Sequence, residues 1–196
     1  AFKLDNISFS LPEGCIMGLI GENGAGKSTT IKLILDAVHP DSGEITVLGR
    51  DNRTDFKTTK EEIGVVLDEA YFPDSITIKE VNVIMKHTYR NWNTDAFFAH
   101  IKKLGLPETK QFKDFSRGMK MKLAIATALS HDAKLLILDE ATGGLDPIAR
   151  DEILDLFYDF TRDASHSILI SSHIITDLEK LCDYIAFIHQ GKLLFC

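Results

Sequence analysis

Gly21-Glu22-Asn23-Gly24-Ala25-Gly26-Lys27-Ser28-Thr29 is the stretch on which the reading of this chain turns. Its spacing fits G-x-x-x-x-G-K-[ST], a loop whose backbone N–H groups cradle a polyphosphate. The residue types follow from that task. Glycines at 21, 24 and 26 permit dihedrals and close approaches that a side chain blocks. Lys27 sets a point charge against β- and γ-phosphates, and the Ser28 hydroxyl is a ligand for Mg²⁺. Before the loop lies Ile16-Met17-Gly18-Leu19-Ile20, an apolar run of strand length. After it, Ile31, Leu33, Ile34, Leu35 and Val38 suit a helix whose N-terminus points at the phosphates. The helix is expected to stop near His39-Pro40, where proline cannot continue it.

The chain has 196 residues, enough to bury one substantial core. Its formal charge of -7 argues against nucleic acid as a partner, which wants a basic surface. That charge is unevenly spread. Residues 76–131 carry 10 basic and 4 acidic side chains, between two acidic flanks at 1–75 and 132–196. The basic middle reads either as a separate subdomain or as a solvated helical surface. Cys15, Cys182 and Cys196 lack metal-ligand spacing and read as thiols of a reducing compartment. The histidines show no zinc motif. No apolar run approaches the roughly 18 residues that span a membrane, and no signal peptide is visible. The chain does not begin with Met and ends on Leu193-Leu194-Phe195-Cys196, so it is expected to be a fragment of a longer protein.

In chain order, Ile7-Ser8-Phe9-Ser10-Leu11 alternates like a half-buried strand, and Pro12-Glu13-Gly14 turns into the strand before the phosphate loop. Ile45 and Val47 mark a further short strand, Arg50–Glu62 reads as a polar surface segment, and Ile63–Leu67 as a buried strand followed by Asp68. Three helices are then expected, one from Thr77, one capped by Thr94 and one capped by Ser116. Leu135-Leu136-Ile137-Leu138 is an apolar strand delivering Asp139-Glu140 at its C-terminal end, where open α/β sheets present ligands. Asp139 is the natural Mg²⁺ partner, and Glu140 the natural activator of an attacking water. Ser167–Ile170 is another core strand and ends in Ser171-Ser172-His173. Alone, His173 could be a capping residue; in one array with Asp139 and Glu140 it reads as reaching a γ-phosphate.

Taken in this order, the residues resemble the nucleotide-binding subunit of an ATP-binding cassette (ABC) transporter, over essentially the whole chain. Gly21–Thr29 is similar to the Walker A loop, Leu135–Glu140 to Walker B with its glutamate, Asp146 to the D-loop aspartate and His173 to the switch histidine. Phe115-Ser116-Arg117-Gly118-Met119 stands where the signature Leu-Ser-Gly-Gly-Gln is expected. The resemblance implies an α/β fold: a P-loop NTPase core with a mainly parallel sheet, an N-terminal antiparallel β subdomain and a helical insertion. One ABC-type domain would fill 1–196, with 1–75 and 132–196 as core plus β subdomain and 76–131 as the helical subdomain. It also implies ATP and Mg²⁺ as ligands. The nucleotide would lie on Gly21, Asn23, Gly24, Ala25, Gly26, Lys27, Ser28 and Thr29. Ser116, Arg117, Gly118, Met119 and Asp146 would meet the nucleotide of a second ATPase subunit, identical or homologous. Glu140 and His173 would be catalytic, with Ser28, Asp139 and Asp68 on the metal. The implied partner is an integral-membrane permease, the implied location the cytoplasmic face of the membrane, and the nearest group drug and peptide efflux.

The departures from that pattern are specific. Arg117 and Met119 replace Gly and Gln of the signature, and Asp68 stands where a Q-loop glutamine is expected. Asp68 either serves as a hard oxygen ligand for Mg²⁺ or points to solvent until a partner docks. The family's adenine-stacking aromatic would fall a few residues before Ala1. Two rival readings have less behind them. A non-transport cassette ATPase of translation or chromosome maintenance would show paired cassettes or a coiled-coil insertion. A P-loop kinase or GTPase is opposed by the lack of N-K-x-D and the presence of Ser116–Met119.

Overall fold

The structure, a computed structural model, describes residues 2–68 and 72–196. The chain runs through β1 (Ile16–Ile20), α1 (Lys27–Ile34), β2 (Thr46–Val47), β3 (Arg50–Asp51), α2 (Phe56–Thr59) and β4 (Ile63–Val66). It continues through α3 (Ile78–Thr88), α4 (Thr94–Lys103), α5 (Arg117–Ala128), β5 (Leu135–Asp139) and α6 (Pro147–Phe160). β6 (Ser167–Ser172), α7 (Ile175–Leu181), β7 (Tyr184–His189) and β8 (Lys192–Phe195) complete it. Six strands form one sheet in the order β4-β5-β6-β1-β7-β8, every pairing parallel except β7 with β8. This is the expected α/β fold with a mainly parallel sheet.

Its central strands are apolar on both faces because helices or loops cover both. Alternation along each strand divides the core accordingly. Leu136, Leu138, Ile168 and Ile170 face one side, against Ile153 and Phe157 of α6 and against Val81, Phe97, Ile101 and Leu123 of the helical segment. Met17, Leu19 and Leu169 face the other with Ile188, and Ile31 of α1 packs there with Ile63 and Ile137. The segment α3–α5 enters between β4 and β5, as expected, and shares its core with the sheet. Phe157 has no exposed surface; truncating it to Ala would cost about 3–5 kcal/mol through the cavity left behind.

Several local expectations are corrected. Ile7, Phe9 and Leu11 are half-buried and Ser8 and Ser10 exposed, yet this stretch forms no strand. Alternation supplies the apolar face, but a ladder also needs a partner edge, and here only Asp5 N–H bonds across, to the Gly191 carbonyl at 2.7 Å. The antiparallel part of the N-terminal half is the single pair β2–β3. α1 stops at Ile34, five residues before His39. Asp36 adopts φ 52°, and the Ala37 and Asp36 N–H groups bond to the Lys32 and Leu33 carbonyls at 2.8 and 3.1 Å. That is a Schellman closure, which ends the helix before the proline can. Arg50–Glu62 lies largely at the surface as expected, only Asn52 and Thr59 within it being buried, and it holds β3 and α2. Asn93, not Thr94, caps α4, its side chain accepting from Ala96 N–H at 2.9 Å. Ser116 caps α5 as expected, and α3 begins after Thr77, which caps it within a full capping box with Glu80. α7 was not foreseen, because seven residues are too few to show a helical period.

Candidate nucleotide site

The register of the sheet brings the motifs together. Ile20 at the end of β1 pairs with Ser172 of β6, and Ser171 pairs with Asp139 of β5. Three neighbouring strands therefore finish at one level, and residues 21–29, 139–140 and 173 leave them side by side. This is where an open parallel sheet presents ligands.

The phosphate loop is shaped by backbone needs. A Cβ on Gly21 would lie 2.3 Å from the Ile188 carbonyl oxygen, so only glycine lets the loop pass β7. Gly26 has φ 122° and opens α1 without any side-chain cap. The N–H groups of Lys27, Ser28 and Thr29 in that first turn have no acceptor within the helix, which makes them anion donors. Lys27 is 6% exposed, and its ammonium donates to the Gly21 carbonyl at 2.7 Å and the Glu22 carbonyl at 3.3 Å. The loop's own carbonyls hold the charge over the cradle. Asn23, Gly24 and Ser28 are exposed, Ala25 and Gly26 buried.

Glu140 is the hinge of the polar array. Its carboxylate lies 3.6 Å from Lys27 Nζ through Oε1 and 2.6 Å from His173 Nδ1 through Oε2. The three residues thus form one line across the ends of β1, β5 and β6. Glu140 also adopts φ 53°, a left-handed conformation that costs a non-glycine residue about 1–3 kcal/mol. The turn is held by its N–H, which donates to the Ser171 carbonyl at 3.1 Å and the Ser171 hydroxyl at 3.2 Å. Ser171 Oγ in turn donates to Asp139 Oδ1 at 2.5 Å. Ser171 therefore positions both carboxylates, a role the sequence reading missed. Its only signal was a small polar residue at the end of an apolar strand. Asp139 is buried, and Ser171 engages only its Oδ1, leaving Oδ2 as a hard oxygen.

The remaining candidates gather elsewhere. Ser116 caps α5 by accepting from Met119 N–H at 3.3 Å. Arg117 Nη2 donates to Asp68 Oδ1 at 2.7 Å. A Cβ on Gly144 would lie 3.4 Å from Arg117 Nε, and one on Gly118 would lie 3.4 Å from Leu145 Cδ2. So residues 116–119 abut Asp68 and the loop 143–146. Asp146 caps α6 by accepting from Ala149 N–H at 3.0 Å, and that bond holds its carboxyl below the usual range. Among the described residues, neither this group nor Asp68 makes a hydrogen bond or ion pair with Lys27, Ser28, Asp139, Glu140 or His173. The candidate residues thus fall into two separate groups. A link between them also escaped the sequence reading. Arg150 Nη2 reaches the Leu145 carbonyl at 3.4 Å and its Nε lies 3.6 Å from buried Asp177 of α7, the helix that follows His173.

Comparison with known proteins supplies the context for this layout. The sequence profile of the ABC transporter family matches residues 4–143. The chain is 37% identical over 194 residues to the bacitracin transport ATP-binding protein BcrA of Bacillus licheniformis, covering 98% of this chain and 63% of that protein. It is 36% identical over 194 residues to the lantibiotic transport ATP-binding protein SrtF of Streptococcus pyogenes, covering 97% of this chain and 82% of SrtF. The solved structure of an ATP-binding subunit of an ABC transporter superposes with a TM-score of 0.88 at 28% identity, covering 97% of this chain and 81% of that one. The chain thus spans less than two thirds of BcrA. A family profile that runs from the N-terminal segment through the phosphate loop and both carboxylates places the chain in the ABC transporter ATP-binding family.

Proposed function

We propose that the chain binds and hydrolyses ATP and that a second cassette, identical or homologous, completes its site. The observation that carries this is the line Lys27–Glu140–His173, set at the ends of three adjacent strands while residues 116–119 stand apart. Triphosphate would lie on the N–H groups of Lys27, Ser28 and Thr29 that open α1, with its β- and γ-charge offset by Lys27. Glu140 takes a proton from water as the water oxygen attacks the γ-phosphorus, and the bond to the β,γ-bridging oxygen breaks, releasing ADP. His173, whose Nδ1 lies 2.6 Å from Glu140 Oε2, would stand beside the γ-phosphate. The hydroxyl of Ser28 and Oδ2 of Asp139 make a hard-oxygen donor set that fits Mg²⁺, which when bound neutralises phosphate charge. Asp68 Oδ1 is engaged by Arg117 rather than by this set.

The second cassette would bring its own Ser116–Met119 and Asp146 over the γ-phosphate. Ile148 and Ile175 are 74% and 56% exposed, each two residues from Asp146 or His173, and would be covered there. We further propose that the protein powers export across a membrane, in keeping with the names of BcrA and SrtF as bacitracin and lantibiotic transport proteins. No helix among the described residues is long and apolar enough to cross a membrane, so a permease would supply the path, with the cassette on its cytoplasmic face. A small hollow lined by Leu67, Phe72, Met85, Tyr89 and His131, between β4 and the helical segment, is the place we assign to that partner. In this reading residues 76–131 act as the helical subdomain and the remainder as the core. The test is Glu140→Gln in the full-length protein. It should retain ATP binding, lose turnover by at least about a hundredfold as expected of a missing general base, and accumulate as an ATP-bound dimer. Turnover near the parent rate would overturn the assignment.

A further inference from the structure

The two residues that depart most from the family pattern, Asp68 and Arg117, are 49 positions apart and meet at 2.7 Å. Arg117 is the first residue of α5, and Asp68 follows β4. The same arginine lies along the Cα of Gly144, where a methyl group would be in van der Waals contact with Nε, Cδ and Cζ. Gly118, its neighbour, faces Leu145 at a similar clearance. One side chain, from the start of α5, therefore bonds the loop after β4 and lies beside the loop after Glu140.

We propose that Arg117 and Asp68 form an intrachain clasp, and that Arg117 is a positioning residue that holds Ser116 and the 143–146 loop in register for turnover. The inference rests on the proposed ATPase function. Three features argue for it. The bond is charge-assisted and short. Both side chains are more than half exposed, so the pair adds little to the stability of the fold. A weak exposed link between two loops is nevertheless enough to shift their relative placement, which is all that positioning requires. The clasp also accounts for the departures as a pair: a glycine in place of Arg117 has nothing to reach across with, and a glutamine in place of Asp68 brings no charge to answer a guanidinium. While it is closed, one oxygen of the Asp68 carboxylate, Oδ1, is engaged by Arg117.

The experiment is a double-mutant cycle in the full-length protein, with Asp68→Asn, Arg117→Gln and both together, alongside the reversed pair Asp68→Arg with Arg117→Asp. Each single change should lower kcat by about threefold to fivefold, the range an exposed pair can supply, with melting temperature unmoved. The double variant should lose no more than either single, and the reversed pair should regain most of the rate. Amide exchange at 143–146, followed without nucleotide, should quicken in both single variants. Losses that multiply in the double variant, no rescue by reversal, or unchanged exchange would each overturn the clasp. The exchange and the coupling do not depend on Glu140, so a failure of the general-base assignment would show separately in Glu140→Gln.

Discussion

The two halves of the candidate site are built in opposite ways. The phosphate half is anchored in the core. Lys27 and Asp139 are buried, and Lys27, Asp139 and Glu140 are each fixed by hydrogen bonds from or to strand ends that the sheet register sets. The half formed by residues 116–119 lies at the exposed start of α5 and is steadied by a cap and one surface ion pair. A buried polar array is fixed before its ligand arrives and changes little when it does. An exposed helix start is free to meet a second molecule. The difference is what the proposed shared site requires: one group fixed in the core of its own chain, the other at a surface open to a second molecule.

The largest effect that separates the halves is expected at Ser171, which lies wholly inside the first. Ser171→Ala removes the hydroxyl from Asp139 and from the Glu140 N–H, and leaves a buried charged acceptor short of a donor. That costs roughly 1–3 kcal/mol of stability, or a melting temperature lower by about 2–4 °C for each kcal/mol in a chain of this size. Turnover should fall by roughly tenfold, because Glu140 loses one of the two bonds that hold its left-handed turn. Calorimetry and steady-state hydrolysis check the two together. A variant that melts lower but turns over at the parent rate would show that the Asp139–Glu140 corner needs no such support.

A smaller effect is expected where α5 ends. His131 follows that helix, buried, with Nε2 3.0 Å from the Ile63 carbonyl and its ring stacked on Tyr89 at 3.9 Å. Burial lowers its pKa, against the opposing pull of those carbonyls and of Glu61 and Asp132. The unfolded chain then takes up the extra proton as pH falls. Stability is full above the ordinary histidine value near 6.5 and declines as the pH drops through it. Chemical denaturation between about pH 7.5 and 5.5 should show this decline, and His131→Gln should flatten it. An unchanged slope would place the acid sensitivity in other groups. The far end of the helix is thus tied to the core by a buried polar bond, whereas Ser116 and Arg117 at its start are exposed.

Most of the phosphate half was legible in the sequence because its constraints are local. Glycine spacing, an apolar run before the loop and carboxylates after a second run each specify position relative to a strand end. The bonds that tie these pieces together were not legible, since Ser171 reaches Asp139 across 32 positions and only the sheet register brings them level. The Asp68–Arg117 contact was hidden for the same reason. Both residues were singled out separately, as departures, with nothing local to show that they face each other. The strand expected over Ile7–Leu11 failed differently: its alternation correctly gave the buried side, but hydrogen-bond partners are not encoded in alternation.

The account depends most on the claim that a complete site needs both halves from different molecules. Two full-length variants test it, Lys27→Ala, which disables the phosphate half, and Ser116→Arg, which blocks the other. Each alone should hydrolyse ATP at a small fraction of the parent rate. Mixed in equal amounts under conditions that allow subunits to exchange, they should recover turnover that neither possesses, because a mixed dimer holds one site with both halves intact. Hydrolysis by the mixture no greater than the average of the two variants would contradict the shared site.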